Sequence, residues 1–435
     1  MEYDIVIVGL GPAGIIAALE ASKNTNLKIL CIDKGKKITK RKHKTCIEKK
    51  VCSCQKSSHC NVINGLGGSS LISGTKFSLF PAGTGLMEII KDETFLEKKT
   101  NEVIDYLKSK INLFKDESKF SHNEAYTFYS KFNYTNKFYK SYSYEEEEYH
   151  QFLLDICDVL EKRNVNIKFS TTLNKVIKED QKIFLEINEN KINKKVFSKR
   201  LILSTGKSGY DLLSKISNEL NLPKTPASLE IGVRLEFPTA IFEDIDMYQS
   251  DLKLKSGNSK TYCVSKNGYV VKYNYNGNYF TEGHVKANDK TGFTNLGILI
   301  KRPSSINNSF LYDEIIKNYK SVNKGNILKY SYKDFFNNVD ICKIFSNDSL
   351  DREIKEAVEK FVNAFINEKE HSNINIYLLE QDFPIWKYDV NSKFEILDNI
   401  YIIGSATGKF RGIVQCFVSG IICMENILEK IVNEK

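Results

Sequence analysis

The 435-residue sequence has no apolar run long enough to cross a bilayer. Its longest late stretch, Ile413 to Met424, has twelve residues and is broken by Gln415 and Ser419, whereas a spanning helix needs about 20. It also has no leader pattern. Met1-Glu2-Tyr3-Asp4 runs directly into an apolar strand, so neither a signal nor a transit peptide is expected, and a cytoplasmic location is. With no secretory signal, the ten cysteines are not expected to pair as disulfides. Nor is there a long basic block. The 63 Lys and Arg against 54 Asp and Glu give a net charge of +9, but the excess is spread along the chain, which weighs against a nucleic-acid partner. A mean hydropathy of −0.34 and 41% hydrophobic residues describe a soluble globular protein with room for two or three domains.

The most informative stretch lies at the start. Asp4 to Val8 is a short Ile/Val run ending at a glycine, the pattern of a strand buried on both faces. Gly9-Leu10-Gly11-Pro12-Ala13-Gly14 fits G-x-G-x-x-G. Ile15, Ile16, Ala18, Leu19 and Ala21 follow at helical spacing. A second apolar run, Lys28 to Ile32, ends at Asp33-Lys34, nineteen residues after Gly14. In this context each part has a job. Gly9 turns the chain out of the strand, Gly11 lets a pyrophosphate approach the backbone, and Gly14 lets helix and strand pack closely. The helix N-terminus, with Pro12 and Ala13, offers N–H groups and partial positive charge to phosphates. Asp33 is placed to accept hydrogen bonds from a ribose diol.

A basic loop follows, reaching Cys46, Cys52, Cys54 and Cys60, with His43 and His59 nearby. The C-x5-C-x-C-x5-C spacing lacks the C-x2-C knuckles of common zinc and iron–sulfur sites. It leaves open a reduced structural loop, a metal site on the four cysteines, or a redox pair. A second glycine-rich segment, Asn64 to Lys76, contains Gly67, Gly68 and Ser69, which could let backbone press against a flat ring or a phosphate. Residues 86 to 112 read as helices. Tyr126 to His150 interleaves aromatic and basic residues, a pattern that can bind single strands but more often marks a hairpin or an exposed helix edge. Glu147 to Arg163 has the period of an amphipathic helix. From Val165 the period changes to short strands with polar turns, leading to the apolar run Leu201-Ile202-Leu203 and the small residues Ser204-Thr205-Gly206.

Pro223 to Pro226 marks a boundary, beyond which residues 227 to about 380 mix strands and helices. Ser349 to Ala364 reads as a helix with Leu350, Ile354, Ala357, Val358 and Phe361 on one face. Near the end, Asn399 to Gly404 reads as a buried strand, Ser405 to Gly412 as a small-residue turn, and Ile413 to Leu428 as an apolar helix. A helix N-terminus aimed at the pyrimidine edge of a flavin would stabilise negative charge at N1 and O2. This second strand–turn–helix favours FAD over NAD.

Together these pieces resemble the FAD oxidoreductases of the two-dinucleotide-binding-domain, glutathione-reductase-like superfamily. More narrowly, they look like its FAD-utilising dehydrogenases. Those carry G-x-G-G-x-G-x-x-S-D-G-K, I-G-V-R-x-E-x-P, R-T-F-C-x-x-x-G-G-x-V and G-D-x-x-G-x-x-R-G-I segments, which correspond here to Asn64–Lys76, Ile231–Pro238, Lys260–Val271 and Gly404–Ile413. The sequence departs from the pattern at Ser73-Gly74-Thr75-Lys76, where the Asp of S-D-G-K is missing, and at Ser405, where an Asp usually meets the ribityl chain. Serine is the weaker acceptor.

The resemblance implies an α/β fold. A Rossmann-like FAD-binding domain with a parallel sheet and β-meander would be assembled from residues 1–95, 150–222 and 385–435. A mixed α+β substrate or cap region would comprise 96–149 and 223–384. Gly9, Gly11, Pro12, Ala13, Gly14, Asp33 and Lys34 would hold the ADP half of FAD, with Leu173 offering backbone to the adenine. Gly67, Gly68, Ser69, Thr205, Gly206, Gly404, Ser405, Gly412 and Ile413 would line the ribityl chain and ring. Lys76, Arg234, Glu236 and Arg411 are the candidates for catalytic or substrate-binding work. Arg234 and Glu236 alternate along a strand and could instead pair on the surface.

The expected activity is hydride transfer between FAD N5 and an organic small-molecule substrate. With no second G-x-G-x-x-G, a full NAD(P)H domain is not expected. Electrons would come from the substrate, an electron-carrier protein or transient NAD(P)H. A tRNA-modifying flavoprotein, a non-catalytic FAD- or metal-binding scaffold and a flavin hydroxylase are the alternative readings.

Overall fold

Ile5, Val6 and Ile7 are fully buried, because the strand that carries them, β1 (Glu2–Val8), lies in the middle of a parallel sheet. In the computed structural model, which describes residues 1–434 except 42–58, 73–74, 116–120, 181, 242–250, 287–288, 346–347 and 383–385, β1 pairs with β2 (Ile29–Ile32) on one side and the strand Ile192–Leu203 on the other, both parallel. The sheet continues from β2 to Asn166–Lys168. On the far side it runs from Ile192–Leu203 to Ile400–Ile402, again in parallel, and ends at the antiparallel Glu395–Leu397. The helix α1 (Pro12–Ala21) crosses from β1 towards β2.

The twelve-residue strand Ile192–Leu203 serves two sets of neighbours in turn within one eight-stranded sheet. Its first half pairs antiparallel with Lys182–Glu189, which pairs with Thr171–Glu179. This is the expected meander. From Phe197 it pairs parallel with β1. Its sequence follows the change: the Lys-rich start is exposed, while Leu201, Ile202 and Leu203 are fully buried. A strand covered on both faces has no polar face to alternate with. This is the Rossmann-like α/β architecture expected.

The second region is built on a seven-stranded antiparallel sheet in the order Leu328–Ser331, Asn375–Asp382, Leu229–Pro238, Phe293–Arg302, Ser259–Ser265, Leu254–Ser256, Thr135–Asn136. A hairpin, Tyr269–Tyr275 with Asn278–His284, accompanies it. The helix Asp348–Phe365 buries Leu350, Ile354, Ala357, Val358 and Phe361, the face its period predicts. The boundary near Pro223 to Pro226 is a two-stranded crossing in which Lys224–Pro226 pairs with Trp386–Tyr388, so the outgoing and returning chains run side by side.

Two hydrophobic cores follow these sheets, and they redraw the expected division in two places. The helix Glu93–Lys108, expected in the cap, buries Leu96, Val103, Ile104 and Leu107 in the core of the parallel sheet, against the helix Ile413–Asn433. Within 96–149 only the middle joins the second core, through Ala125, Tyr129 and Tyr134, while Tyr144 and Tyr149 return to the first. Val62 and Ile63, expected in the first domain, also pack into that second core. Among the described residues, no helix is long and apolar enough to cross a membrane.

The cap sheet contains a buried ion pair. Arg234 is fully buried, and its guanidinium donates from Nε and Nη2 to the two carboxylate oxygens of Glu380 at 2.8 and 2.9 Å. Nη1 donates to Asn295 Oδ1 at 2.8 Å and to the Cys263 carbonyl at 3.0 Å. Burial opposes the charge, but the Glu380 and Glu282 carboxylates hold the guanidinium protonated. Both partners lie on neighbouring strands, Leu229–Pro238 and Asn375–Asp382.

Two substitutions test these constraints. A Cβ on Gly14 would lie 1.9 Å from the Gly9 carbonyl oxygen and 2.5 Å from Ser204 Oγ. Gly14→Ala is therefore expected to destabilise the fold by at least about 1–3 kcal/mol, read as a lowered thermal midpoint; an unchanged midpoint would show that the turn can relax. Arg234→Met strands a buried carboxylate and is expected to cost about 3–5 kcal/mol in urea unfolding. Adding Glu380→Leu to Arg234→Met should recover much of that loss, and failure to recover any would show that the pair is not the source.

Candidate functional site

A cavity of about 1020 Å3 follows the C-terminal ends of the parallel strands. It passes Asp33 and Lys34 after β2, Gly9 and Gly11 after β1, Ser204 to Gly206 after Ile192–Leu203, and Ile403 to Ser405 after Ile400–Ile402. Crevices at the carboxyl ends of such strands are where open α/β sheets bind ligands. The antiparallel cap sheet and its hairpin close the opposite wall with Lys253, Tyr262 and Glu282.

The first glycine turn is shaped by close approach. Gly9 has φ +99°, and a Cβ there would sit 2.5 Å from the Ser204 carbonyl oxygen. Gly14 packs beneath the turn and does not line the cavity. Gly11 does, and a Cβ on it would meet nothing within 4 Å. Pro12 opens the helix, and the first intrahelical bond runs from Ile15 N to Gly11 O at 3.0 Å. The N–H groups of Ala13 and Gly14 therefore lie ahead of the helical ladder, where an anion is favoured. Asp33, 7% exposed, accepts from Leu10 N at 2.8 Å and Gly35 N at 2.7 Å. Each carboxylate oxygen retains capacity for a further donor. Lys34 lines the cavity and donates from Nζ to the Ser208 carbonyl at 2.7 Å.

The second glycine segment is fastened onto the first. Gly67 N donates to Leu10 O at 2.8 Å, and Gly67 itself stays off the cavity, against Leu153 and Leu71. Gly68 and Ser69 do line the cavity, and a Cβ on Gly68 would lie 3.4 Å from Gly11 Cα. Arg41 locks this segment. Its buried guanidinium donates to the carbonyls of Asn61, Val62, Leu66 and Gly68 at 2.5 to 3.0 Å. Sequence reasoning missed Arg41, because nothing separates it from the other basic residues of KKITKRKHK.

At the far end of the sheet, Gly404 has φ +66° and lies against Ala13, while Ser419 Oγ accepts from Gly404 N at 3.0 Å. Gly412, with φ +107°, caps the helix Ile413–Asn433, and Gly412 and Ile413 line the cavity. Gln415 Nε2 ties this helix start to the carbonyls of Ser78 at 3.0 Å and Ala82 at 3.3 Å. Leu173, Thr205, Gly206 and Ser405 also line the cavity.

The four candidate polar residues separate. Lys76 and Arg411 line the cavity; Arg234 and Glu236 do not. Arg234 sits behind the wall, 3.6 Å from Glu282, in the buried pair described above. Glu236 accepts from Tyr377 Oη at 2.7 Å and from Asn375 Nδ2 at 3.4 Å. Neither the expected direct role nor a mutual surface pair describes them, because strand pairing turns both towards neighbouring strands. Arg411 contacts Asp382 and lies 3.5 Å from Tyr262 Oη, which donates to Asp382 at 3.2 Å. Lys207 pairs with Glu282 at 2.8 Å; burial opposes its charge, but Glu282 holds it up. Lys207, Glu282, Tyr262 and Asp382 were not singled out in the sequence.

Of the cysteine cluster, Cys46, Cys52 and Cys54, with His43, lie outside the described residues. Cys60 is buried in the second core, and its Sγ accepts from Asn274 N at 3.3 Å. Among the described residues, no three His, Cys, Asp or Glu side chains gather in a metal-holding group.

Comparison with known proteins adds the family. A family model described as pyridine nucleotide-disulphide oxidoreductase matches residues 3–230. Similar solved structures include a geranylgeranyl bacteriochlorophyll reductase-like protein from Thermoplasma acidophilum, 14% identical with a TM-score of 0.41, covering 100% of this chain and 79% of that one. A flavoprotein/dehydrogenase from Cytophaga hutchinsonii is 11% identical with a TM-score of 0.41, covering 99% and 79%. The p-nitrophenol 4-monooxygenase PnpA of Pseudomonas putida DLL-E4 is 9% identical with a TM-score of 0.43, covering 99% and 79%. No curated protein matches the sequence. The family match takes in β1, the glycine turn, α1, β2, the meander and the strand that rejoins the sheet, and on that ground the chain belongs to the pyridine nucleotide-disulphide oxidoreductase family.

Proposed function

We propose that this protein is an FAD-dependent oxidoreductase of the dehydrogenase type, acting on a small organic molecule held between the flavin end of the cavity and the cap sheet. One observation carries the reading. The cavity runs along the ends of adjacent parallel strands and takes in two helix N-termini, one opened by Gly11 and one capped by Gly412. A ligand with a pyrophosphate in its middle and a ring that gains negative charge at its end suits such a pair of positive helix ends.

In this reading Asp33 accepts from the adenosine ribose and Leu173 offers backbone to the adenine. The N–H groups of Ala13 and Gly14 receive the pyrophosphate, with Gly68 and Ser69 across from it. Gly404 and Ser405 meet the ribityl chain. Gly412 and Ile413 place the second helix start at the pyrimidine edge. Bound FAD would supply hydride transfer at N5. The protein's own part is to position, to exclude water, and to set charge through Lys76, Arg411, Tyr262 and Asp382. Reducing equivalents come from the substrate, from an electron-carrier protein, or from NAD(P)H that visits transiently.

The absorbance spectrum of the purified protein, before and after adding FAD, is the first test. A two-band flavin spectrum that follows the protein through gel filtration is expected, and its absence after FAD addition would overturn the reading. Anaerobic addition of NADH and NADPH then separates the donors: rapid bleaching marks nicotinamide, and a persistent oxidised spectrum points to the substrate or a carrier.

Two variants sharpen the test. Gly11 has φ −71°, and a Cβ there meets no protein atom, so Gly11→Ala should leave the apoprotein's thermal midpoint unchanged. FAD affinity should fall about 10- to 100-fold, as the phosphate loses charge-assisted hydrogen bonds. Equal affinity in Gly11→Ala would place the pyrophosphate elsewhere. Arg41→Lys is expected to weaken FAD retention as well, since one ammonium cannot reproduce the fork that reaches four carbonyls; retention equal to wild type would show that the loop holds its shape without the clamp.

A further inference from the structure

An ion pair crosses the cavity beside the start of the second helix. Arg411, which immediately precedes Gly412, reaches the carboxylate of Asp382 at the end of the cap strand Asn375–Asp382, and both residues line the cavity. The contact runs from Nη1 to Oδ1. An arginine and a carboxylate can close a fork of two parallel bonds, and this pair leaves its fork open. Among the described residues, the buried Nη2 has no hydrogen-bond partner. On the acid, Oδ1 also accepts from Tyr262 Oη at 3.2 Å, while Oδ2 accepts from Lys260 Nζ at 3.4 Å. A carboxylate oxygen has room for two donors, so Oδ2 can take one more. The pair thus keeps one donor and one acceptor in reserve.

Its neighbours hold this arrangement. Tyr262 Oη lies 3.5 Å from Arg411 Nη1 as well as bonding Asp382. Burial pushes the Tyr262 phenol well up, against the opposing pull of Arg411, so Oη keeps its proton at neutral pH and stays a donor to Asp382. Lys260, on the other side of Asp382, also contacts Glu230, which lies opposite Asp382 on the adjoining strand. Ser228, Glu230, Lys260 and Tyr262 line the cavity with the pair. An apolar chain laid against this wall would strip water from charged groups and return no hydrogen bond. The open fork therefore stands in a hydrophilic part of the cavity, beside the proposed ring end of the cofactor.

We infer that Arg411 and Asp382 form the recognition site for a hydroxyl group of the substrate, so that the substrate class is a small hydrophilic alcohol. This deepens the proposed function and rests on its placing of the ring end at Gly412. A hydroxyl is donor and acceptor at once. It can donate to Asp382 Oδ2 and accept from Arg411 Nη2, closing the fork that the protein leaves open. An ether or a carbonyl can only accept, and would leave Oδ2 as it was. A carboxylate would meet Asp382 as a like charge.

The test uses glycerol as probe and its methyl ether, 1,2,3-trimethoxypropane, as the counterpart that accepts but cannot donate. Both are titrated by saturation-transfer NMR, which reads weak binding, against the full-length protein as purified and again when saturated with FAD. Glycerol is expected to bind and the ether not to. In Asp382→Asn the glycerol dissociation constant should rise about tenfold, the size of one hydrogen bond to a charged group. Arg411→Gln gives the same reading should Asp382→Asn not fold. Equal binding of glycerol and the ether, no glycerol binding, or glycerol binding unaltered in either variant would overturn the inference. The flavin spectrum is read separately in the same samples. Bound flavin without glycerol binding that depends on the pair sinks the alcohol substrate alone; such binding in a protein that takes no FAD sinks the cofactor reading alone.

Discussion

The architecture depends on how closely the chain packs at the first turn. Gly14 sits against the Gly9 carbonyl at a distance no side chain could share. Ser204, from the neighbouring strand, donates to the carbonyls of Gly9 at 2.7 Å and Val8 at 3.0 Å. Two segments 195 to 196 residues apart in the sequence are thereby drawn to one point. The C-terminal helix joins them through small residues: Gly404 lies against Ala13, and a Cβ on Gly420 would lie 2.5 Å from Ala13 O. Because both helices are seated by close backbone contact, both of their N-termini open on the same cavity. Larger residues here would separate the helices and remove the feature the proposed chemistry uses.

Charge does for the cap what close packing does for the parallel sheet. Lys207 follows the strand Ile192–Leu203, while its partner Glu282 belongs to the cap hairpin. Arg411 precedes the C-terminal helix, while its partner Asp382 ends a cap strand. Behind Glu282 stands Arg234, itself held by Glu380. Each ion pair spans two elements that the chain does not connect directly. Such pairs are costly to bury and more costly to break, so they fix the cap's position as much as they set the field in the cavity.

The features legible in the sequence were those set by neighbours along the chain. The Ile/Val run before Gly9, the glycine spacing and the acid at Asp33 predicted β1, α1 and β2 because a buried parallel strand and a tight turn each leave a local pattern. The face of the helix Asp348–Phe365 was legible for the same reason, through its 3.6-residue period. Position 234 shows the limit. Its alternation with Glu236 suggested a working pair, but the partner that decides its role, Glu380, is 146 residues away. Arg41 looked like any basic loop residue until the loop folded beneath it. The helix Glu93–Lys108 was legible as a helix, but the core it would join was not, since an apolar stripe does not say which sheet will cover it.

The sequence by itself therefore determined the dinucleotide half: the order of strand, turn, helix and acid, and the second strand–turn–helix at the end of the chain. Both are short-range patterns of glycine and apolar residues imposed by backbone geometry. The tertiary structure alone decided which polar residues reach the cavity. It placed Lys76 and Arg411 on the cavity wall and kept Arg234 and Glu236 off it, and it set Lys137 beside Lys253 by pairing strands more than a hundred residues apart. Long-range pairing depends on how whole faces are covered, and no local spacing of residue types encodes it.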